Sequence, residues 1–577
     1  YGKRNSKFSA SKNLRPKRKR DFKHLFNTIP HKPDTYDFDL EETVMTQFNF
    51  KKGLEKFGNK GKDAVMLELK QLHDKCAVEP VRDLTKKQKS EALRYLMYLN
   101  MKKTGRLKAR GCADGRKQRS TMSKDEASSP TVAIESVFLT CVVDAEESRK
   151  VVVTDVPGAY LHADMDKEVH MCLTGTMAEL LCKVKPELYR KYVEDHNGKK
   201  VLYVRLRKAL YGCLKSGLLF WRHLSGLLER NGFEINPYDT CVANKIINGK
   251  QCTVVWHVDD LKISHVENSV VDDVIKMLES TYGEMPTQRG NKFLYLGMTL
   301  DYGTDKKVKI KMCDFVDAIL EDFPDDSKST AATPAASHLF TVNENAKKLE
   351  DSSSQVFHTF TAKLLFLCKR ARPDLQTAVA FLTTRVIAPD VDDWKKLVRV
   401  ISYLRLTPKM HLTLESNGSG ILKWWVDGAF AVHPDMRSHT GATMSMGKGS
   451  IYSASTKQKI NTRSSTETEL VAVHDVLPQI LWTRYFMEHQ GYKVDDTTLY
   501  QDNLSAMLLE NNGKGSSSKR TRHLQIRFFF VTDMINAKQL SVEHEPTGTM
   551  VGDFFTKPLQ GTAFRTFRDR ILNIDED

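Results

Sequence analysis

Seven carboxylates stand where the chain changes from one element to the next. Asp155 closes the β-branched run at 151–154 and precedes Val156-Pro157-Gly158-Ala159-Tyr160. Asp259-Asp260 separates one apolar stretch, 253–258, from another, 261–266. Two adjacent carboxylates repel each other and resist a low dielectric, so a hairpin tip carrying both makes sense where a divalent cation neutralises them. Asp155, at a strand end before a Pro/Gly turn, is well placed to share that cation. Nearer the C-terminus, Asp427 follows the strand-like run 422–426. Glu469 lies in a helix opened by Ser464-Ser465-Thr466-Glu467, Asp502 follows a short strand at 498–500, and Asp553 falls early in the expected last helix. On strand, helix, strand and helix, these four can form one site that holds two Mg²⁺ ions and cuts a phosphodiester with water. Each acid also has an ordinary reading as a cap, a turn residue or a surface charge. Val-Asp-Asp recurs at 271–273, 391–393 and 494–496, and the first two open helical segments, where acids suit the positive helix end.

The elements that must position these acids follow from periodicity and punctuation. Residues 61–150 read as mostly helical, with apolar residues at three- and four-residue spacing from Asp63 to Tyr98. Residues 151–310 read as strands alternating with helices. Residues 324–354, rich in Pro, Ser, Asp and Thr, read as a linker or mobile loop. Residues 355–410 are helical, with a clear amphipathic period from Trp394 to Leu404. A new β unit opens at 421, and strands at 441–446 and 450–455 are joined by a Gly447-Lys448-Gly449 turn. The domain organisation expected from this is 1–60, a basic, partly disordered segment; 61–320, a first catalytic unit; 321–420, a linker and helical region; and 421–577, a second catalytic unit.

The chain has 577 residues, 40% hydrophobic and 9% aromatic, which is enough for several cores and excludes both a single small module and wholesale disorder. Lys plus Arg is 88 against 72 for Asp plus Glu, a formal net charge of +16. A folded chain this basic suggests a polyanionic partner, nucleic acid or an anionic surface. The run Arg15-Pro16-Lys17-Arg18-Lys19-Arg20 reads equally as a nuclear-import or nucleic-acid tail and as a solvated linker. No run of about 18 apolar residues is present, so no membrane span is expected. Ten cysteines without a C-x-x-C pair fit scattered reduced thiols better than a disulfide framework or zinc ribbon. The start at Tyr1 suits a fragment or processed piece.

Taken together, the motifs make the chain resemble the polymerase and ribonuclease H part of a copia-type LTR retrotransposon Pol polyprotein. The carrying segments are Arg106-Leu107-Lys108-Ala109-Arg110-Gly111-Cys112-Ala113-Asp114-Gly115, Thr154 to Ala163, Lys208-Ala209-Leu210-Tyr211-Gly212-Cys213 and His257-Val258-Asp259-Asp260-Leu261. They continue with Arg437-Ser438-His439-Thr440-Gly441, Ser464 to Leu470, Gln501-Asp502-Asn503, Lys519-Arg520-Thr521-Arg522-His523 and Phe555-Thr556-Lys557-Pro558-Leu559. Each is weak alone, but their order over roughly residues 80–570 is specific. Two departures stand out: His257 replaces the Tyr of many relatives, and 213–221 lacks the family's Gln-Ser-Pro run.

The resemblance implies an α+β multi-domain fold: a right-hand polymerase with fingers, palm and thumb, followed by a ribonuclease H-like α/β domain with a mixed sheet. It implies that Asp155 and Asp259 hold two Mg²⁺ ions, replaceable by Mn²⁺, for nucleotidyl transfer, with Asp260 shaping the site or acting as an outer ligand. Tyr160 would exclude ribonucleotides by filling the space of a 2′-hydroxyl; its ordinary reading is a packed palm tyrosine. Arg106 and Lys108 or Arg110 would clamp the triphosphate, or else contact the template backbone. Asp427, Glu469, Asp502 and Asp553 would hold two ions for hydrolysis of the RNA strand of a hybrid, with Glu467 the competitor for Glu469 and His544 a candidate aid to product release. The implied partners are an RNA template, a DNA primer, the RNA–DNA hybrid and deoxynucleoside triphosphates, with the element's capsid and integrase as further candidates. The implied location is a cytoplasmic virus-like particle with nuclear entry. The rival readings are a catalytically silent nucleic-acid-binding remnant of such an element, and a nuclease or integrase of the ribonuclease H fold alone.

Overall fold

A computed structural model of the chain describes residues 48–101, 107–324, 328–513 and 529–574. The basic run at 15–20, Arg106 and the motif at 519–523 lie outside the described residues.

Helix α1 (Phe50–Asp74) starts at Asn49, whose side chain accepts the Lys52 N–H at 3.1 Å and so satisfies one of the orphan first-turn donors. Its buried stripe, Val65, Leu69 and Leu72, packs on β1 (Leu93–Met101) and β2 (Leu107–Ala113). The continuous helical reading to Tyr98 is corrected here. Leu93, Tyr95, Met97 and Leu99 are buried while the residues between them are less so, which is strand periodicity. The apolar density of this stretch satisfied both periods, and pairing with β2 selected the strand.

Helix α2 (Ile134–Glu146) is buried nearly all round and precedes β3 (Lys150–Asp155). Strands β4 (His170–Thr174) and β5 (Lys199–Leu206) join β1 and β2 in a seven-stranded sheet. After α3 (Ser216–Arg230) come β6 (Val242–Ile247), β7 (Lys250–His257) and β8 (Asp260–His265). These form a second, six-stranded sheet in the order 287–288, β3, β8, β7, β6, 234–235. Helix α4 (Asn268–Tyr282) packs on β8 and β3.

Strands β9 (Lys292–Tyr295), β10 (Met298–Tyr302) and β11 (Lys307–Lys311) open a third sheet. The chain then runs through helices α5 (Asp351–Cys368), α6 (Gln376–Thr383) and α7 (Val391–Leu406) before β12 (Leu412–Ser416) returns to pair with β11. The segment Gly447–Lys448, expected as a hairpin turn, is a short strand paired with Glu415 and Ser416 of β12. Strands on either side of residues 320 and 420 therefore share one sheet.

The last unit contains β13 (Ile421–Ala429), β14 (His439–Ser445), β15 (Tyr452–Lys457), α8 (Ser465–His489), β16 (Asp496–Gln501) and α9 (Leu504–Asn512). It ends with β17 (Ser541–His544), the short helix α10 (Asp553–Thr556) and α11 (Gly561–Leu572). The sheet order is β15-β14-β13-β16-β17; β13, β14 and β15 are antiparallel, and β16 runs parallel to both β13 and β17. Helix α8 crosses β13 and β14, and its far end is anchored on the second sheet. There Trp482 Nε1 donates to the Tyr238 carbonyl at 2.8 Å and the Arg149 guanidinium to the Tyr492 hydroxyl at 2.7 Å. The architecture is thus an α+β multi-domain fold with mixed sheets. All ten cysteines are free thiols. Among the described residues no helix is long and apolar enough to cross a membrane.

Candidate functional site

The hairpin of β7 and β8 carries Asp259-Asp260 at its tip. Asp155 of β3 stands directly opposite Asp260 in antiparallel register, so both side chains leave the same face of the sheet. His257 pairs with Asp260 across the hairpin, leaving Val258 and Asp259 as the turn. Val258 adopts φ 55°, which a β-branched side chain rarely does; the ladders on both sides hold it there. The Val156 N–H donates to the Asp259 carbonyl at 3.0 Å, and the Asp155 N–H to Pro286 at 3.3 Å. All three acids are half-buried at one end of these inner strands.

Tyr160 lies on the single turn Ala159–His162, entered through Gly158 at φ 62°. Its ring packs on Tyr211 at 4.5 Å and Phe220 at 6.3 Å. The Arg110 guanidinium sits over the Tyr211 ring at 4.9 Å, a cation–π contact between β2 and the segment that follows β5. Lys108 and Arg110 flank the buried Ala109, so they leave one face of β2. Both act on Glu68, whose carboxylate accepts the Gly111 N–H at 2.8 Å; burial raises its pKa against the pull of that bond and of the two cations. Tyr211 was quoted within a motif but given no role by sequence reasoning. Burial, with the Asp259 charge adding to it, keeps its hydroxyl protonated far above the usual range.

The second set of acids converges on the last sheet. Asp427 of β13 is 2% exposed and Glu469, early in α8, is 4% exposed. With Asp502, just past β16, each offers an oxygen within 4.8 Å of the others. Among the described residues no other three His, Cys, Asp or Glu side chains gather so closely; Asp155, Asp259 and Asp260 are neighbours without reaching this closeness. Two glycines permit it. A Cβ on Gly428 would lie 2.9 Å from the Thr468 carbonyl oxygen, and one on Gly552 would lie 2.9 Å from Cβ of Asp427. Glu467 is occupied at the helix start, where its carboxylate accepts the Arg463 N–H at 2.8 Å. Asp553 opens the four-residue α10 rather than the last helix. Its carboxylate accepts from Lys557 Nζ at 2.6 Å and lies within hydrogen-bonding reach of the Asp427 carboxylate. His544 is exposed and ends β17, paired with Gln501.

Burial and mutual charge raise the acids of this set. Burial drives Glu469 well above the usual carboxylate range, and the charges of Asp427 and Asp502 add to it. Burial also raises Asp427, although Lys557 and the Thr556 hydroxyl, which donates to it, pull the other way. Asp553 is pushed up to about 7 by burial and by the Asp427 charge. Glu469 Oε2 is buried without a hydrogen-bond partner among the described residues. The Thr547 hydroxyl donates to Asp502 at 3.0 Å. The trio and Lys557 line an open cavity of about 640 Å³. An orphaned carboxylate oxygen beside two further acids fits a divalent cation.

Residues 79–337 match a family profile described as reverse transcriptase (RNA-dependent DNA polymerase). With the relatives that follow, this makes the chain similar to copia-type retrotransposon Pol polyproteins, the reverse transcriptase match lying over residues 79–337. It is 24% identical over 478 residues to the Retrovirus-related Pol polyprotein from transposon TNT 1-94 of Nicotiana tabacum, covering 81% of this chain and 34% of that protein. It is 25% identical over 478 residues to the Retrovirus-related Pol polyprotein from transposon RE2 of Arabidopsis thaliana, covering 81% of this chain and 30% of that protein. The chain therefore spans about a third of the length of these relatives. A solved foamy viral protease–reverse transcriptase in complex with double-stranded DNA aligns over 85% of this chain and 70% of that chain, with a TM-score of 0.48 and 13% identity.

Proposed function

We propose that the chain copies RNA into DNA at the palm hairpin and hydrolyses the RNA strand of RNA–DNA hybrids at the C-terminal acid cluster. The observation that supports this best is that one chain positions two separate acid sets on two different sheets. In the first, Asp155 is in register with Asp260 beside Asp259; in the second, Asp427, Glu469 and Asp502 are gathered.

At the palm, Asp155 and Asp259 are the ligands of the nucleotidyl-transfer site, with Asp260 shaping it from the adjacent strand. Lys108 and Arg110 offer positive charge to the triphosphate from β2. Tyr160, braced by Tyr211 and Phe220, walls the sugar side of the nucleotide. In the C-terminal domain Asp427, Glu469 and Asp502 are ligands, and Asp553 joins them from α10. Bound Mg²⁺, or Mn²⁺ in its place, supplies charge neutralisation at both sites and lowers the pKa of the attacking oxygen. The partners are an RNA template, a DNA primer, the hybrid and deoxynucleoside triphosphates, drawn in by the net charge of +16. We further propose that the protein works in a cytoplasmic virus-like particle, beside the element's capsid and integrase, before nuclear entry.

The test is extension of a primed RNA template with Mg²⁺ alongside cleavage of a labelled hybrid. Asp259→Asn is expected to cut extension by roughly 10³-fold or more, the scale on which lost charge stabilisation acts, while hybrid cleavage persists. Asp427→Asn is expected to do the reverse. Extension by Asp259→Asn at the parental rate would refute the palm assignment, and parental cleavage by Asp427→Asn would refute the second.

A further inference from the structure

Lys557 has no part in the chemistry just described, yet its ammonium group lies among the acids. Its Nζ is 2.6 Å from Asp553 Oδ1. It lines the same cavity as Asp427, Glu469 and Asp502. The backbone at this point is pinned: α10 ends at Thr556, whose hydroxyl donates to the Asp427 carboxylate. The Lys557 side chain, by contrast, is 43% exposed, and its four-carbon stem is flexible. The ammonium can therefore leave the cavity without disturbing the chain that carries it.

A lysine ammonium and a divalent cation cannot both sit against Asp553 at close range, since like charges repel and compete for the same oxygens. Asp553 also lies within hydrogen-bonding reach of Asp427, so the oxygen that Lys557 holds belongs to the same set of acids. Resting on the ribonuclease H reading of this site, we propose that Lys557 is a built-in counter-ion: it occupies the Asp553 carboxylate beside Asp427 and yields it only when a divalent cation enters, so that it sets the affinity of the weaker of two ions. In the cation-free protein it also offsets the mutual repulsion of four acids. Lys557 thereby matches metal loading to the divalent ion concentration rather than contacting the substrate.

The test is Mn²⁺ binding by the full chain, followed by calorimetry and by the electron paramagnetic resonance of free Mn²⁺, in an Asp259→Asn background so that the palm contributes little. Lys557→Met should tighten the weaker site on the order of tenfold, Lys557→Arg should leave it near the parental value, and Asp553→Asn should weaken it. Thermal melts give a second readout. In EDTA, Lys557→Met should melt below the parent, and added Mn²⁺ should raise its Tm by more. Parental Mn²⁺ affinity in Lys557→Met would overturn the proposal. So would a raised KM for the hybrid with unchanged Mn²⁺ binding, because Lys557 would then be a phosphate contact. Mn²⁺ binding that survives Asp427→Asn unaltered would also overturn it, by removing the cluster as the binding site. Failure of the ribonuclease H reading itself shows separately, as Mn²⁺ binding at the cluster without any hybrid cleavage by the parent protein.

Discussion

Gly428 is where a single methyl group should separate the two proposed activities. It follows Asp427 in β13, and a Cβ there would meet the Thr468 carbonyl oxygen and Cγ2 at 2.9 Å and the Thr468 carbonyl carbon at 3.0 Å. Gly428 is not among the residues with positive φ, so the effect of Gly428→Ala is steric. Ordinary non-bonded contacts lie near 3.5 Å or beyond, so the start of α8 must move away from β13 by roughly 0.5 Å. Two of the three clashing atoms are backbone, and no rotamer change relieves them. Overpacking of this kind costs about 1–3 kcal/mol. The displaced residues are the immediate neighbours of Asp427 and Glu469, so the gathered oxygens separate by a similar distance. A misplacement of about 1 Å can cost a hundredfold in rate, which sets the expectation at roughly ten- to a hundredfold slower hybrid cleavage. The acids proposed for primer extension lie on another sheet, so extension should stay within about twofold of the parent. Both rates can be measured on one preparation, with the extension assay reporting that the protein is folded. Cleavage by Gly428→Ala at the parental rate would show that the close approach of α8 to β13 does not set the site.

Tyr160→Ala should raise ribonucleotide incorporation relative to deoxyribonucleotide by roughly ten- to a hundredfold, the range that a single small group controls in a fitted pocket, while Tyr160→Phe should not; unchanged discrimination in single-nucleotide extension would return Tyr160 to a packing role. Glu510 is fully buried and pushed up to about 8, an effect that Gln501 offsets only in part. A carboxyl raised in the folded state binds more protons folded than unfolded, so its contribution to stability is present at low pH and is lost as pH rises from its ordinary 4.5 towards about 8. Glu510→Gln should therefore gain on the parent between pH 6 and pH 8.5 by the order of a kcal/mol or more; an equal Tm difference at the two pH values would contradict this.

Part of this molecule is legible without coordinates. The 253–266 hairpin announces itself because two β-branched apolar runs flank a polar pair, and local periodicity alone makes such a pair a tip. The helix at 465–489 declares itself through Ser464, which caps it, and that at 391–406 through the acids Asp392 and Asp393 in its first turn, since both signals are matters of neighbours a few residues apart. The stretch 93–101 reads as helix in sequence because its apolar residues satisfy two periods, and only the partner strand β2 chooses between them. The types and order of the acids were likewise visible, but not their company. Glu467 and Glu469 differ by one helical step of two residues, and what separates them is that one faces Arg463 at the helix start and the other a sheet brought near by Gly428. Asp553 is the fourth acid of the set in sequence order; the fold sets its carboxylate against both Asp427 and Lys557, four residues on. Tyr211 carries no signal of its own until Tyr160 and Arg110, from distant segments, meet its ring. Side-chain type, spacing and capping are short-range properties written along the chain. Which oxygens and charges come within reach of one another depends on strand register and on the closeness of packed backbones, and those exist only once the sheets have formed.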